Sequence, residues 1–228
     1  SETAVAVMKS AVSAATNAFE SVQKAVKQAT DLAEANFAAV SNTAVTAAKA
    51  AQSGWAASTP QQRHDLLDKV GASLASRSRE IGELLSREEG KTLAEGIGET
   101  MRAAQVFKFF AGEALRQTGE LQPSVRPDID VEITREPVGI VGLVTPWNFP
   151  IAIPAWKIAP ALAYGNCVIH KPADLTPGCA HVIAELLHEH GCPPGVFSLV
   201  MGRGSVVGEA IVTHPEISAI SFTGSVGT

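Results

Sequence analysis

The chain has 228 residues, 46% of them apolar, and a formal net charge of −5, enough to bury one large core or two small ones. It carries no block of like charge to attract nucleic acid or an anionic membrane, and no apolar run reaches the 18 or so residues that a transmembrane span needs. Its three cysteines, Cys167, Cys179 and Cys192, are odd in number and lack metal-ligand spacing, and the chain opens without a charged-then-apolar signal segment, so the expected setting is a reducing cytoplasm without a metal site.

Residues 1–53 contain no glycine and no proline, are rich in alanine and carry four Lys against four Asp or Glu, which is helix composition. Met8, Val12, Ala15, Phe19, Val22, Val26, Ala29 and Ala33 step by alternate fours and threes, the 3.5-residue period of an apolar seam on one side of a long amphipathic helix. From Gly54 onward glycines and prolines become frequent, and Val/Ile-rich runs alternate with amphipathic stretches. The change divides the chain into a helical segment, 1–52, and a second region, 53–228.

In the second region the pattern predicts a helix over 61–75, capped by Ser58 or Thr59 with Pro60 in its first turn, and another over 80–110 with a weak point at Gly96 and Gly98. Residues 130–134 alternate apolar and polar side chains, as a half-buried strand does. Strands are then expected over 139–145, 167–170, 196–200 and 217–222, with helices over 153–163, 178–190 and 205–213 between them. Four strands joined by crossover helices imply an α/β fold with a parallel, doubly wound sheet and ligands at the carboxyl ends of its strands.

Polar groups cluster at those ends. The first strand runs into Thr145-Pro146-Trp147-Asn148-Phe149-Pro150, where the Asn148 amide could donate to a developing oxyanion or could merely shape a turn. The second ends in Lys171-Pro172-Ala173-Asp174, where a carboxylate could accept from ribose hydroxyls and an ammonium could donate to ribose or a 2′-phosphate; alone, the pair also reads as a solvated ion pair. The third is followed by Gly202-Arg203-Gly204-Ser205-Val206-Val207-Gly208, a G-x-G-x-x-x-G spacing that differs from the dinucleotide fingerprint. The fourth leads into Phe222-Thr223-Gly224-Ser225-Val226-Gly227, where a helix start would favour a pyrophosphate. His181, Glu185 and His188 share one helix face at chelating spacing, which a polar, exposed face also explains.

TPWNFP, AWKIAPALAYGNCVIHKPAD, PPGV, GRGSVVG and SFTGSVGT, in this order, resemble the coenzyme-binding half of the aldehyde dehydrogenase superfamily, and WAASTPQQRHDLLDKVGASLASR and LLSREEGKTLAEG fit that family's amino-terminal region. The KPAD and IAIPAW segments are similar to semialdehyde dehydrogenases, especially those acting on α-ketoglutaric or succinic semialdehyde. The resemblance implies a Rossmann-like domain, NAD or NADP as cofactor, an aldehyde oxidised to the carboxylic acid, and homo-oligomeric assembly. By position, Asn148 matches the oxyanion-hole asparagine, Lys171 and Asp174 the pair that holds the adenosine ribose, and Ser225 the serine at the pyrophosphate. Thr145, Trp147, Gly204 and Gly208 join the cofactor-binding set, and Phe149, Ile153 and Trp156 match positions that line the substrate tunnel. Asp174 stands where glutamate is more usual, and its shorter side chain leaves the choice between NAD and NADP open.

The resemblance also places the attacking cysteine thiolate and the water-activating glutamate downstream of FTGS. None of Cys167, Cys179 and Cys192 matches that nucleophile, so negligible dehydrogenase turnover is expected of these residues alone. Residues 1–40 are similar to the carboxyl-terminal region of phasins, which coat polyhydroxyalkanoate granules. This makes a granule-surface protein carrying an inactive dehydrogenase fragment the alternative expectation, with residues 1–52 as the binding helix.

Overall fold

The computed structural model describes residues 20, 23, 24, 26–28, 30 and 39–224. Most of the apolar seam from Met8 to Ala33, and Ser225 with the residues after it, lie outside the described residues. The first continuous helix, α1, covers 39–56. It buries Ser41, Val45, Ala48 and Trp55, spaced to fall on one face. Gln52 Oε1 on that face accepts the Cys167 N–H at 3.2 Å, so α1 is tied to the start of a sheet strand. Residues 52 and 53, where the composition changes, sit inside this helix.

Three helices follow. Helix α2, Pro60–Ser76, opens with a reciprocal capping box between Thr59 and Gln62 and with Pro60 in its first turn, an arrangement that satisfies amide groups no helical partner can reach. Helix α3, Ser78–Glu89, stops at Gly90, whose φ of 91° is left-handed backbone open to glycine at little cost. Helix α4, Leu93–Ala114, starts from a second capping box, Thr92 with Glu95. The sequence expectation of one helix over 80–110 weakened at Gly96 and Gly98 is thereby corrected: the break is at residues 90–92, and α4 runs through both glycines. Gly96 serves packing instead. A Cβ there would sit 2.6 Å from the Gly82 carbonyl oxygen, and one on Gly82 would sit 2.7 Å from the Ile97 nitrogen, so the glycine pair lets α3 and α4 approach closely.

Strands β1 (Glu120–Pro123) and β2 (Asp130–Ile133) form a two-stranded antiparallel ribbon with Glu120 opposite Ile133. Both are exposed along their length. The expectation of a half-buried β2 is therefore also corrected: the alternation is present, but Val131 and Ile133 stay 43% and 44% exposed, and neither joins the core. Strand β1 was not expected, since ELQP carries no apolar alternation.

The remaining elements alternate: β3 (Ile140–Val144), α5 (Ala152–Ala163), β4 (Cys167–Lys171), α6 (Pro177–Glu189), β5 (Phe197–Leu199), a π-helical turn (Gly204–Gly208), α7 (Glu209–Thr213) and β6 (Ala219–Phe222). The strands make one parallel sheet in the order β5-β4-β3-β6. β4 is buried throughout and β3 almost so, while the edge strands β5 and β6 are partly open, as expected of a sheet with helices on both faces. The core joins Leu67, Leu74 and Phe107 of α2 and α4 to Ile158 and Leu162 of α5, Val168 and Ile169 of β4, and Ile183 and Leu186 of α6.

Candidate functional site

The chain leaves β3 for β4 and β5 on one side, then returns to β6 on the other. The carboxyl ends of β3 and β6 therefore flank the strand-order switch, where open α/β sheets bind ligands. Val144 is level with Lys171 on β4 and with Phe222 on β6, so the residues following these three strands share one rim.

Thr145 begins the rim. It is buried, its N–H donates to the Lys171 carbonyl at 3.2 Å, and its Oγ1 lies 2.9 Å from His170 Nε2. Burial pushes the His170 imidazole down to about 3, with the nearby cations Lys171 and Lys157 adding to the effect, so the ring at the root of the rim is neutral at physiological pH. Beyond Thr145 the chain turns outward, and Trp147, Asn148 and Phe149 are exposed.

The underside of that turn is held by residues the sequence reading did not single out. Lys91, in the link between α3 and α4, places Nζ 2.6 Å from Glu99 Oε2, 2.8 Å from Glu89 Oε2 and 3.2 Å from the Asn148 carbonyl oxygen. The same ammonium lies 4.4 Å from the centre of the Phe149 ring, within cation–π range. The other oxygen of Glu99 accepts the N–H groups of Ile151 at 2.9 Å and Ala152 at 3.1 Å, supplying acceptors where α5 begins. Glu88 does the same for α6, accepting from Gly178 and Cys179 at 2.8 Å each. The sequence carries the signal only as charged residues inside a helical stretch, because the backbone groups that Lys91, Glu99 and Glu88 hold lie more than 50 residues away.

At the end of β4, Lys171 Nζ donates to Asp174 Oδ1 at 3.0 Å; the lysine side chain is 6% exposed and the aspartate 48%. An ammonium shielded at the strand end beside a carboxylate open to solvent fits a ribose diol, whose hydroxyl oxygens accept from the ammonium and whose O–H groups donate to the carboxylate. In the segment after β5, the residue whose backbone demands glycine is Gly202, with φ 142°; a Cβ on Gly204 or Gly208 would meet nothing within 4 Å. The helix expected over 205–213 is a π turn followed by α7. On α5, Ile153 is packed into the interior. Trp156 is half exposed, in a groove of about 540 Å³ with Arg102, Gln105, Val106, Phe109 and Phe110. Lys157, one residue on, donates to Ser221 Oγ at 2.7 Å and ties α5 to β6.

The three cysteines are free thiols. Burial pushes Cys167 up to about 11 and Cys192 up to about 12, and raises Cys179 further, with Glu88 adding to the effect. None is a thiolate at neutral pH. His181, Glu185 and His188 form no chelate: among the described residues no three His, Cys, Asp or Glu side chains come together to hold a metal ion. No helix among the described residues is long and apolar enough to cross a membrane.

The sequence model of the aldehyde dehydrogenase family matches residues 9–228. This chain belongs to the aldehyde dehydrogenase family. It is 46% identical over 183 residues to the α-ketoglutaric semialdehyde dehydrogenase of Bacillus subtilis, covering 80% of this chain and 37% of that protein. Among solved structures it is similar to an NADP-dependent enzyme of E. coli (35% identity, TM-score 0.81, covering 82% of this chain and 39% of that one). It is also similar to the betaine aldehyde dehydrogenase of Staphylococcus aureus in complex with NAD+ (35% identity, TM-score 0.80, 82% and 38%). The matched region thus spans less than two fifths of the length of each of these three relatives. The phasin resemblance read over residues 1–40 is not borne out, since the dehydrogenase match begins at residue 9.

Proposed function

We propose that residues 53–228 form the coenzyme-binding portion of an NAD(P)-dependent dehydrogenase that oxidises a semialdehyde to its carboxylic acid. The observation that carries the reading is the shielded Lys171 beside the open Asp174 carboxylate, with the Lys171 carbonyl accepting from the N–H of Thr145 at the end of β3. Asp174 accepts from the adenosine ribose, and Lys171 donates to the ribose or to a 2′-phosphate. Thr145 and Trp147 flank the coenzyme from β3, Gly204 and Gly208 from the segment after β5, and Ser225 at the pyrophosphate. The coenzyme supplies the hydride acceptor when bound.

Asn148 is assigned the oxyanion formed when a thiolate adds to the aldehyde carbon. Phe149 and Trp156 give apolar walls to the substrate, with Ile153 as buried support. The protonated state of the buried Cys167 and Cys179 and the partly buried Cys192 supports the view that the thiolate is not one of them, and that these residues alone hold coenzyme without turnover. A cytoplasmic setting and homo-oligomeric assembly go with this reading. The alternative of a granule-coating helix over 1–52 has no supporting observation, and the later part of that segment is packed onto the core through Ser41, Val45 and Ala48.

The test is a chimera joining residues 1–228 to the complementary carboxyl-terminal portion of the Bacillus subtilis relative. It is expected to reduce NAD+ or NADP+ with α-ketoglutaric semialdehyde, and Asn148→Ala is expected to lower kcat by about 10²- to 10³-fold, the usual loss for one oxyanion donor. A chimera that folds and binds coenzyme yet leaves semialdehydes unoxidised overturns the proposal.

A further inference from the structure

The Lys91 cluster sits directly beneath the turn that carries Asn148 and is more buried than a surface ion pair: the side chains of Lys91, Glu89 and Glu99 are 12%, 10% and 2% exposed. Charges buried this deeply add little net stability over apolar residues of similar size, because desolvation offsets their attraction. What such a cluster fixes is geometry. Lys91 binds the Asn148 carbonyl at 3.2 Å and covers the Phe149 ring, and Glu99 grips the next two free amides, Ile151 and Ala152. The turn is therefore held at Asn148 and over the four residues after it by side chains from the link between α3 and α4 and from α4 itself. An oxyanion donor acts best when it needs no reorganisation as charge develops.

We propose that Lys91 and Glu99 are positioning residues that fix the backbone of the Asn148 turn, so that its amide meets the oxyanion already aligned; the proposal rests on the oxyanion reading given above. Neither residue touches the reacting atoms. Lys91 acts through the Asn148 carbonyl and Glu99 through the amides of Ile151 and Ala152.

The test is amide hydrogen exchange on the ¹⁵N-labelled full chain, compared with Lys91→Arg and with the triple variant Glu89→Gln/Lys91→Met/Glu99→Met, which removes the charges together and strands none of them. In the triple variant Ile151 and Ala152 are expected to exchange about ten- to a hundredfold faster, the factor of one lost hydrogen bond to a charged group. Val168 in β4 and Leu186 in α6 keep their rates. Lys91→Arg, which retains the charge, is expected to keep most of the protection. Acceleration spread equally over Val168 and Leu186, or absent from Ile151 and Ala152, overturns the proposal. In the chimera the triple variant is expected to lower kcat with the coenzyme KM unchanged; a change in KM with kcat intact also overturns it. If Asn148→Ala costs no turnover while the triple variant loosens the turn, the oxyanion reading fails and the anchoring of the turn stands, so the two failures are distinguishable.

Discussion

Gly96 and Gly98 lie one residue apart on α4, and replacing each by alanine should move stability in opposite directions. In a helix interior alanine is favoured over glycine by about 0.8–1.0 kcal/mol, and both sites gain this term. At Gly98 a Cβ meets nothing within 4 Å, so Gly98→Ala should stabilise by close to the full amount. At Gly96 the Cβ would lie 2.6 Å from the Gly82 carbonyl oxygen and 2.9 Å from Ser86 Oγ. The first of these is backbone and cannot rotate away. Forcing α3 and α4 apart costs about 1–3 kcal/mol by analogy with overpacked cores, which leaves Gly96→Ala destabilising by about 1 kcal/mol. The two variants should differ by about 2 kcal/mol, or about 4–8 °C in Tm for a chain of this length. Urea unfolding followed by circular dichroism measures the difference directly, and equal midpoints for the two variants would refute the close-packing argument.

Removing the Glu88 carboxylate with Glu88→Ala strands the N–H groups of Gly178 and Cys179 at the start of α6 and should cost about 1.5–3 kcal/mol in the same assay, while Glu88→Gln, which keeps an acceptor, should cost less. His170 is held far below its ordinary value, so the unfolded chain takes up its proton first as pH falls. The stability it contributes is present above pH 6.5 and is lost as pH drops from 6.5 toward 3. The urea midpoint of the wild type should therefore fall between pH 7 and pH 5 more steeply than that of His170→Gln; parallel curves would contradict the buried neutral imidazole.

The sheet was legible in the sequence because parallel strands covered on both faces are near-continuous apolar runs, as in IVGLV and CVIHK, set off by glycine and proline. The polar groups of the rim were legible for a related reason: topology alone places whatever follows each strand at the same end. Helix boundaries set by caps were readable at Thr59-Pro60, but the stop at Gly90 was passed over in favour of Gly96 and Gly98. Propensity marks any glycine as weak, and only tertiary packing tells the left-handed cap from the close crossing. The hold of Lys91 and Glu99 on the Asn148 turn was invisible because both reach the turn across more than 50 residues of chain. The exposure of β2 is illegible for the converse reason, since an alternating pattern says which face could be buried and not whether anything covers it.

Isothermal titration of the chain with NAD+ and NADP+ measures coenzyme binding at the β3–β4–β6 rim directly. Saturable binding of at least one coenzyme is expected, weakened about ten- to a hundredfold in Lys171→Met and in Asp174→Ala, the range for losing a hydrogen bond to a charged group. A folded chain that binds neither nucleotide, or variants that bind as tightly as the wild type, would contradict the account.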